Sequence, residues 1–342
     1  MLLIRGFIMH GCWQRGYCKL PRRSDWITKR SPLLVQQYLK LIRFDKPIGT
    51  WLLFWPGAWS LTLATSLEKK KLNLHTDIWP ELSTNTIIDT FLLNINFPDL
   101  NIFLYFVLGS FLMRNAGCII NDIFDKDFDS HVKRTQERPL ASNKLSTKQA
   151  LNLLTFHLVG AFVILLQLNT YTVILGLVSM IPTVTYPLAK RYFPWPQLHL
   201  GIVFNWGALM GWSAIFGSLQ PILPISILSI ACICWIVLYD TVYAHQDKIY
   251  DKRLGLNSTA LYFEERPKLF LYTLAALQNS ALVSLGMLTD LNIYYYFAIL
   301  INTLFSTREL HTVNLEDPTS CSRNFNRNKY IGWIMFLGLL LS

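Results

Sequence analysis

The residues of this sequence best suited to chemistry are two clusters of aspartates, and the first is "NDIFDKDFD" at 121–129. An α-helix turns by about 100° per residue, so four polar residues of this stretch fall within an arc of about 100°. Those four are Asn121, Asp122, Asp125 and Asp129. Asp127 falls on the far side and is expected to face solvent. The spacing therefore predicts one amide and three carboxylates on one face of a helix end.

The second cluster is "DTVYAHQDKIYD" at 240–251. On a straight helix Asp240, Asp247 and Asp251 would fall within an arc of about 40°, which is a tighter alignment than the first cluster has. Tyr243 lies one turn from Asp247 on a neighbouring line of the same helix. This stretch also predicts carboxylates that point in one direction.

Aligned carboxylates suggest a divalent cation, because they repel one another and a cation relieves that repulsion. Oxygen-only ligands suit Mg²⁺, which typically bridges one or two carboxylates to phosphate oxygens. The expected catalytic Mg²⁺ ligands are Asp122, Asp125, Asp129, Asp247 and Asp251. Asp240 is expected either to bind metal or to orient Tyr243 and a second substrate. Two such clusters that face each other would hold a diphosphate; the alternative is a pair of solvated acidic helix ends.

Basic residues near both clusters are candidate ligands for phosphate or for a substrate carboxylate: Arg43, Lys46, Arg134, Arg138, Lys190 and Arg191. The alternative is that these charges only orient the chain in a membrane. Arg114 lies on the same arc as Asn121, two turns deeper, and it needs a partner there: a helix end, an acid or a substrate anion. Trp51, Phe54 and Tyr243 are aromatic candidates either to contact a cationic group through their ring faces or simply to pack.

The elements that position these residues are predicted to be transmembrane helices. The chain has 342 residues, of which 52% are hydrophobic and 15% charged, whereas a soluble domain carries about 25% charged residues. Apolar stretches of roughly 17–25 residues can span a bilayer. Such stretches lie near 47–66, 101–120, 147–168, 170–188, 199–217, 222–243, 268–288 and 291–306, with a shorter ninth at 330–342. The predicted fold class is all-α: a polytopic membrane protein with a bundle of eight to nine transmembrane helices around a central cavity.

The basic residues are concentrated on one side of this predicted bundle. The net charge is +10, and most of the 31 Lys and Arg residues fall on the side that carries both aspartate clusters. This is the positive-inside pattern, so the charge indicates topology and not nucleic-acid binding. Residues 1–35 form a basic leader, predicted to be a mitochondrial transit peptide, with a plain basic tail as the alternative. One membrane domain is predicted at 36–342, interrupted by a polar insertion at 67–100.

Both aspartate clusters resemble the two aspartate-rich motifs of the UbiA-type membrane prenyltransferases. Other stretches resemble the branch of that family that prenylates 4-hydroxybenzoate in ubiquinone synthesis. They are "RFDKPIGTWLLFWPGAWSL" at 43–61, "LMRNAGCIINDIFDKDFDSHVKRTQERPLAS" at 112–142, "YPLAKRYFPWPQ" at 186–197 and "LEDPTSCSRNFNRNKYIGWIMFLG" at 315–338. The resemblance extends from about residue 36 to the end of the sequence, apart from the insertion.

The resemblance implies Mg²⁺-dependent transfer of a polyprenyl group from polyprenyl diphosphate to the ring carbon ortho to the hydroxyl of 4-hydroxybenzoate. It also implies the mitochondrial inner membrane, aspartate motifs on the matrix side, and other enzymes of ubiquinone synthesis as candidate partners. A different aromatic acceptor, such as homogentisate, a naphthoate or haem, remains the alternative. A cation transporter is disfavoured, because such a protein would place its acids near the bilayer midplane on interrupted helices.

Overall fold

The computed structural model describes residues 31–76, 95–131 and 135–342, and the chain folds there into fourteen α-helices without a strand. In chain order they are α1 (Leu33–Leu41), α2 (Ile48–Thr76), α3 (Leu100–Phe124), α4 (Lys126–His131), α5 (Thr147–Leu165), α6 (Thr170–Val178), α7 (Met180–Tyr192), α8 (Pro196–Phe216), α9 (Ile222–Ala244), α10 (Lys248–Leu254), α11 (Thr259–Tyr262), α12 (Pro267–Leu288), α13 (Ile293–Thr312) and α14 (Pro318–Leu340). The predicted all-α class is confirmed.

Six helical segments of the described chain are long and apolar enough to cross a membrane: Leu100–Phe124, Thr147–Leu165, Thr170–Ala189, Pro196–Phe216, Ile222–Ala244 and Pro267–Leu288. Three more helices, α2, α13 and α14, have 20 to 29 residues and pack beside them. Large apolar side chains cover the outside of the bundle; Phe156 on α5, for example, is 71% exposed. The polytopic architecture is therefore confirmed, whereas the count of eight to nine spans stays a prediction.

The segment predicted as one span at 170–188 consists of two helices, α6 and α7, which meet at Ser179. Pro182 lacks a backbone N–H and cannot donate to the carbonyl four residues earlier, which breaks the helical hydrogen-bond pattern. The pattern resumes where the Thr183 N–H donates to the carbonyl of Ser179, at 3.2 Å. The two helices together remain long enough to span a bilayer.

The last helix is longer than the apolar segment predicted at 330–342, because it begins at Pro318. Asp317 caps its first turn through hydrogen bonds from the N–H groups of Thr319 and Ser320. Residues 318–329 are polar and lack the apolar signal of a membrane helix, yet Asn324 and Asn328 are buried. Asn328 Oδ1 accepts a hydrogen bond from Trp235 Nε1 at 3.0 Å, so this polar stretch packs against α9.

The core lies where α2, α8, α9 and α14 meet. Its largest fully buried side chains include Trp55, Trp59, Trp212 and Trp235. The Trp59 and Trp235 rings stack at 4.8 Å between centroids, and Trp59 Nε1 donates to the carbonyl of Gly332 at 2.9 Å. These contacts hold α9, whose end carries part of the second aspartate cluster, beside α2 and α14.

The predicted domain boundaries fall partly outside the described residues. Of the predicted leader 1–35, only residues 31–35 are described, and they lead into α1. The predicted insertion 67–100 starts as the last turns of α2, ends at the start of α3, and is not described at 77–94. Both assignments stay predictions.

Candidate active site

The first aspartate cluster lies at the end of α3 and on the short helix α4. Asp125 ends α3, with φ −96° and ψ 7°, and the helix resumes at Lys126. The hydrogen-bond pattern hardly changes: Asp125 N–H donates to the Asn121 carbonyl at 2.9 Å, and Asp129 N–H donates to the Asp125 carbonyl at 2.8 Å. The four residues thus keep nearly the helical spacing that the sequence analysis assumed.

Two arginines from outside α3 hold the buried carboxylates of this cluster. Arg43 Nη2 lies 2.5 Å from Asp122 Oδ1, and Arg138 Nη1 lies 3.1 Å from the same oxygen. Arg138 Nη1 also lies 2.5 Å from Asp129 Oδ2, so one guanidinium joins the two aspartates. Asp122 is 2% exposed. A carboxylate so deeply buried is costly without paired charges, and the two arginines supply them.

The surroundings change the pKa values of two of these groups in the same direction. Burial raises the pKa of the Asp129 carboxyl above its ordinary value, although the charge of Arg138 acts in the opposite sense. Burial alone would lower the pKa of the Arg43 guanidinium, but the negative charge of Asp122 raises it above its ordinary value. Arg43 is therefore permanently charged, which suits a residue that binds anions.

Asp125 belongs to a different group of side chains. Its Oδ2 accepts a hydrogen bond from Asn121 Nδ2 at 3.0 Å, and its Oδ1 lies 3.7 Å from Arg191 Nη2. Arg191 extends from α7, donates to the carbonyl of Phe124 at 3.1 Å and lies over the ring of Phe128. The contact between α3 and α7 thus directs Asp125 towards Arg191, while Asp122 turns to Arg43 and Arg138.

The second cluster crosses the end of α9. Asp240 and Tyr243 lie in the last two turns of α9, Asp247 precedes α10, and Asp251 is buried in the first turn of α10. The straight helix assumed from the sequence is interrupted here, because the N–H of Asp247 donates to the carbonyl of Ala244 three residues earlier. The turn nevertheless keeps all four side chains on the inner side of the bundle, where they line one cavity.

That cavity has a volume of about 1220 Å³, and residues of both clusters line it. Its polar wall includes most of the predicted site residues: Arg43, Lys46, Arg114, Asn121, Asp122, Arg138, Asp240, Tyr243, Asp247 and Asp251. Its apolar wall extends between α5, α6 and α8 and includes Phe162, Leu165, Leu168, Leu177, Met180, Val203 and Phe204. The structure thus brings the two acidic clusters and four predicted cations together around one cavity with a long apolar part.

The remaining predicted site residues are either described outside the cavity lining or not described there. Asp125, Asp129 and Arg191 are not among the described residues that line the cavity. Lys190 belongs to α7, next to Arg191, and Arg134 lies outside the described residues. The predicted ring contacts Trp51 and Phe54 also lie outside the lining, since the Trp51 ring stacks on Trp55 with 5.7 Å between centroids and the Phe54 ring packs against Phe103 at 5.5 Å.

Several lining residues went unpredicted, among them the aromatic side chains Tyr105, Phe106, Tyr186, Phe204, Trp206, Tyr239 and Phe325. Gln197 is a further one: it is 3% exposed, and its Oε1 accepts a hydrogen bond from the N–H of Thr259 at 2.9 Å. Thr259 in turn bonds Thr241 through their hydroxyls at 2.7 Å. Gln197 thus ties the segment after the second cluster to α8. Its only sequence signal was its place in "YPLAKRYFPWPQ", which also contains Tyr186.

The donor set around the cavity fits Mg²⁺ of the kind that bridges protein to phosphate. Nowhere in the described part of the chain do three Asp, Glu, His or Cys side chains converge on one point. Asp122, Asp247 and Asp251 instead offer carboxylate oxygens to the same cavity from its two sides. Mg²⁺ commonly takes one or two protein carboxylates and completes its octahedron with water and phosphate oxygens. A cavity with few carboxylates, cationic side chains and an apolar extension is suited to an amphiphilic diphosphate.

Residues 86–340 match the family model of the UbiA prenyltransferase family. The chain is 40% identical over 306 residues to the mitochondrial 4-hydroxybenzoate polyprenyltransferase of Aedes aegypti, an alignment that covers 89% of this chain and 63% of that protein. It is 39% identical over 323 residues to the enzyme of the same name from Caenorhabditis elegans, covering 94% of this chain and 83% of that one. Thus the chain spans less than two thirds of the length of the Aedes protein.

The fold of this chain also resembles those of solved structures. The apo structure of a UbiA homolog from Aeropyrum pernix K1 superposes with a TM-score of 0.67 at 22% identity, covering 85% of this chain and 97% of that one. A UbiA homolog from Archaeoglobus fulgidus, solved bound to GPP and Mg²⁺, superposes with a TM-score of 0.57 at 17% identity, covering 90% and 100%. At these identities the structures support the fold alone. The family match and the sequence identity to the mitochondrial enzymes lead to one conclusion: this chain is a member of the UbiA prenyltransferase family.

Proposed function

We propose that the chain transfers a polyprenyl group from polyprenyl diphosphate to the ring carbon ortho to the hydroxyl of 4-hydroxybenzoate, as a membrane step of ubiquinone synthesis. The observation that carries the proposal is the single cavity lined by Asp122 from the first cluster and by Asp247 and Asp251 from the second. The names of the insect and nematode relatives support the choice of acceptor.

The polar end of the cavity is the proposed diphosphate site. Mg²⁺, when bound, neutralises the charge that develops on the leaving diphosphate. Asp122, Asp247 and Asp251 are the proposed ligands that line the cavity. Asp125 and Asp129 stay in the proposed set because they follow Asp122 at helical spacing. The archaeal homolog solved with GPP and Mg²⁺ is consistent with this use of a divalent cation.

Arg43 and Arg138 have two tasks in this proposal. Both neutralise the buried Asp122 carboxylate in the structure. When a diphosphate is bound, their remaining N–H donors bind its oxygens, and fixed donors aimed at developing charge are usually the largest source of catalysis. Lys46 lines the same part of the cavity and adds positive charge.

The apolar wall is proposed to hold the prenyl chain and to exclude water. The reaction breaks the bond between the first prenyl carbon and the diphosphate oxygen and forms a carbon–carbon bond to the aromatic ring, which then loses a proton. The electron-deficient prenyl carbon reacts with water unless the site is dry. Ring faces stabilise such a centre electrostatically, and the tyrosines that line the cavity include Tyr186 on α7, and Tyr239 and Tyr243 on α9.

Arg114 is the proposed partner of the acceptor's carboxylate. It lines the cavity on α3, two turns deeper than Asn121. A membrane-embedded arginine is costly without a partner anion, and a guanidinium can bind a carboxylate through two parallel hydrogen bonds. Asp240, from α9, lines the same cavity and is proposed to orient the acceptor together with Tyr243.

The proposed location is the mitochondrial inner membrane, with the aspartate clusters on the matrix side. The helices long enough to cross a bilayer support a membrane location. The relatives named above are described as mitochondrial. The basic residues accumulate on the side of the aspartates, which the positive-inside rule assigns to the side from which insertion starts. Labelling of single cysteines introduced at either end of α9 in isolated mitochondria would test this orientation.

The test of the function uses membranes that contain this chain, a polyprenyl diphosphate and radiolabelled 4-hydroxybenzoate, with Mg²⁺ or EDTA. We expect lipid-soluble label that requires Mg²⁺ and is lost in Asp122→Ala and in Asp247→Ala. Asp127→Ala is the matched control, because Asp127 is exposed beside the first cluster and does not line the cavity. Transfer to homogentisate but not to 4-hydroxybenzoate would refute the proposed acceptor. Full activity of both aspartate variants would refute the proposed site.

A further inference from the structure

Arg114 is held in the wall of the cavity by few contacts. Within the described residues its guanidinium makes a hydrogen bond to a single side chain, from Nη1 to Sγ of Cys118 at 2.6 Å. Sulfur is a weak acceptor, and arginine carries five N–H donors. Most of these donors are therefore available to a ligand, and what fixes the direction of the guanidinium must be the shape of its surroundings.

Gly49, in the first turn of α2, provides that shape. The glycine is buried, and both it and Arg114 line the cavity. A Cβ placed on Gly49 would lie 2.7 Å from Nη2 and 2.8 Å from Cζ of Arg114, and closer still to Nε. Since real Cβ atoms do not approach other atoms this closely, any side chain at position 49 would displace the guanidinium. The three nearest atoms to that Cβ all belong to Arg114.

We propose that Gly49 and Cys118 are positioning residues for the binding of the acceptor's carboxylate by Arg114. Gly49 leaves the space in which the flat guanidinium lies against α2, and Cys118 fixes its Nη1. The remaining N–H groups then face the cavity in the planar arrangement that matches a carboxylate. This inference rests on the proposed function and adds the residues that hold the acceptor-binding arginine in place.

The contact between Gly49 and Arg114 can be distinguished from ordinary packing by its effect on the stability of the fold. The obstacle to a methyl group at position 49 is the end of a flexible side chain and not another backbone. Alanine is also a better helix former than glycine. We therefore expect Gly49→Ala to leave the stability of the fold nearly unchanged while it moves Arg114. A packing role would produce the opposite result, with a loss of stability and no selective effect on one substrate.

The experiment measures kcat and KM for each substrate in the full-length protein in membranes. For Gly49→Ala we expect the KM for 4-hydroxybenzoate to rise about tenfold and the KM for polyprenyl diphosphate to change less than about twofold. Gly160→Ala is the matched control: this helical glycine on α5 does not line the cavity, and its added Cβ would meet Leu112 Cδ1 at 3.3 Å. We expect wild-type kinetics from it.

Three comparisons separate positioning from other effects. In an Arg114→Lys background, Gly49→Ala should cause no further rise in KM, because the shorter, unbranched amine no longer contacts position 49. Cys118→Ala should raise the KM for the acceptor, whereas Cys118→Ser, which keeps an acceptor atom, should restore most of the affinity. With 4-hydroxybenzamide, an acceptor without a carboxylate, the Gly49→Ala variant and the wild type should bind equally, as measured by competition with the labelled acceptor.

The outcomes distinguish this inference from the function on which it rests. An active wild type together with a Gly49→Ala variant of unchanged acceptor KM would refute the positioning role and leave the function intact. The positioning role would also be refuted if Gly49→Ala raised the KM for 4-hydroxybenzoate by the same factor in the Arg114→Lys background as in the wild type. If folded wild-type protein transferred prenyl groups only to acceptors without a carboxylate, or to none, both the function and this inference would be wrong.

Discussion

Arg138 Nη1 lies 2.5 Å from Asp129 Oδ2, and the same nitrogen lies 3.1 Å from Asp122. The loop after the first aspartate cluster thus returns to that cluster, and one side chain holds the end of α3 and the short helix α4 together. The backbone supports the same arrangement, because the N–H of Arg138 donates to the carbonyl of Thr135 at 2.8 Å, and the Thr135 hydroxyl donates to the carbonyl of Asp129 at 3.0 Å. The loop therefore cannot move without breaking contacts to Asp129.

The first prediction concerns this bridge, the ion pairs that Arg138 makes with Asp129 and Asp122. Arg138→Gln removes the charge that Asp129 and Asp122 share, so we expect a loss of about 2 kcal/mol in the free energy of unfolding, the usual value for a hydrogen bond to a charged group. We also expect kcat to fall about 100-fold, because a cation aimed at the diphosphate is lost. Thermal unfolding in detergent and initial rates at saturating substrate measure the two effects.

A double variant serves as the control for this prediction. In Arg138→Gln/Asp129→Asn the unpaired carboxylate is gone, so stability should return towards the wild type while activity stays low. Arg138→Gln with wild-type stability would contradict the bridge, and a fully active double variant would contradict the catalytic part of the prediction.

A second prediction concerns Gln197, whose Oε1 accepts a hydrogen bond from the N–H of Thr259. Gln197→Leu keeps a similar volume but leaves that buried N–H without its acceptor, which costs about 1–3 kcal/mol. We expect a lower melting temperature and a lower kcat, since the segment that follows Asp251 loses its anchor on α8. Gln197→Glu, which keeps an acceptor oxygen, should retain more stability than Gln197→Leu. A Gln197→Leu variant as stable as the wild type would show that the bond contributes nothing.

Helical spacing was enough to predict which carboxylates lie together, although their role as metal ligands stays a prediction. Asp122, Asp247 and Asp251 line one cavity, and Asp247 does so although the helix is interrupted between α9 and α10. Spacing could not predict that Asp122 lines the cavity while Asp125 does not, since both lie on the same arc of the helix. The difference comes from neighbours that are distant in sequence: Arg43 reaches Asp122 from the turn between α1 and α2, and Arg191 approaches Asp125 from α7.

Hydropathy failed where polar side chains are buried. The first half of α14 resembles a loop in sequence, yet Asn324 donates to the carbonyl of Glu309 and Asn328 accepts from Trp235. Such bonds satisfy the polar groups inside the bundle and remove the penalty that hydropathy assigns to them. Nor could a single sequence indicate that Gly49 faces Arg114, because that contact depends on how α2 lies against α3.

A third prediction concerns the cap of α14, where the carboxylate of Asp317 accepts hydrogen bonds from the N–H groups of Thr319 and Ser320. Bonds from the Thr319 hydroxyl and N–H lower the pKa of the Asp317 carboxyl below its ordinary value. A lowered pKa contributes stability that is present above the unfolded-state pKa and is lost as the pH falls through the folded-state pKa.

Asp317→Ala should therefore lower the melting temperature at pH 7, and the difference from the wild type should shrink as the pH falls below about 4. Asp317→Asn, which can still cap the helix, should be more stable than Asp317→Ala by an amount that does not change with pH, because neither side chain titrates. Thermal unfolding over this pH range measures the effect. A difference between Asp317→Ala and the wild type that does not change with pH would exclude an ionised cap.

The fourth prediction tests the close approach of α2 and α8. A Cβ on Gly211 would lie 2.6 Å from the carbonyl oxygen of Gly57 and 3.1 Å from the backbone nitrogen of Leu61. Small residues let membrane helices approach closely, and here the obstacle is backbone, which cannot turn away as a side chain can. We expect Gly211→Ala to lower the free energy of unfolding by about 1–3 kcal/mol through overpacking.

Gly109→Ala on α3 is the matched control, since its Cβ would meet nothing within 4 Å. This variant should be as stable as the wild type or more so. Equal stability of the two variants in thermal unfolding would mean that α2 and α8 lie farther apart than described.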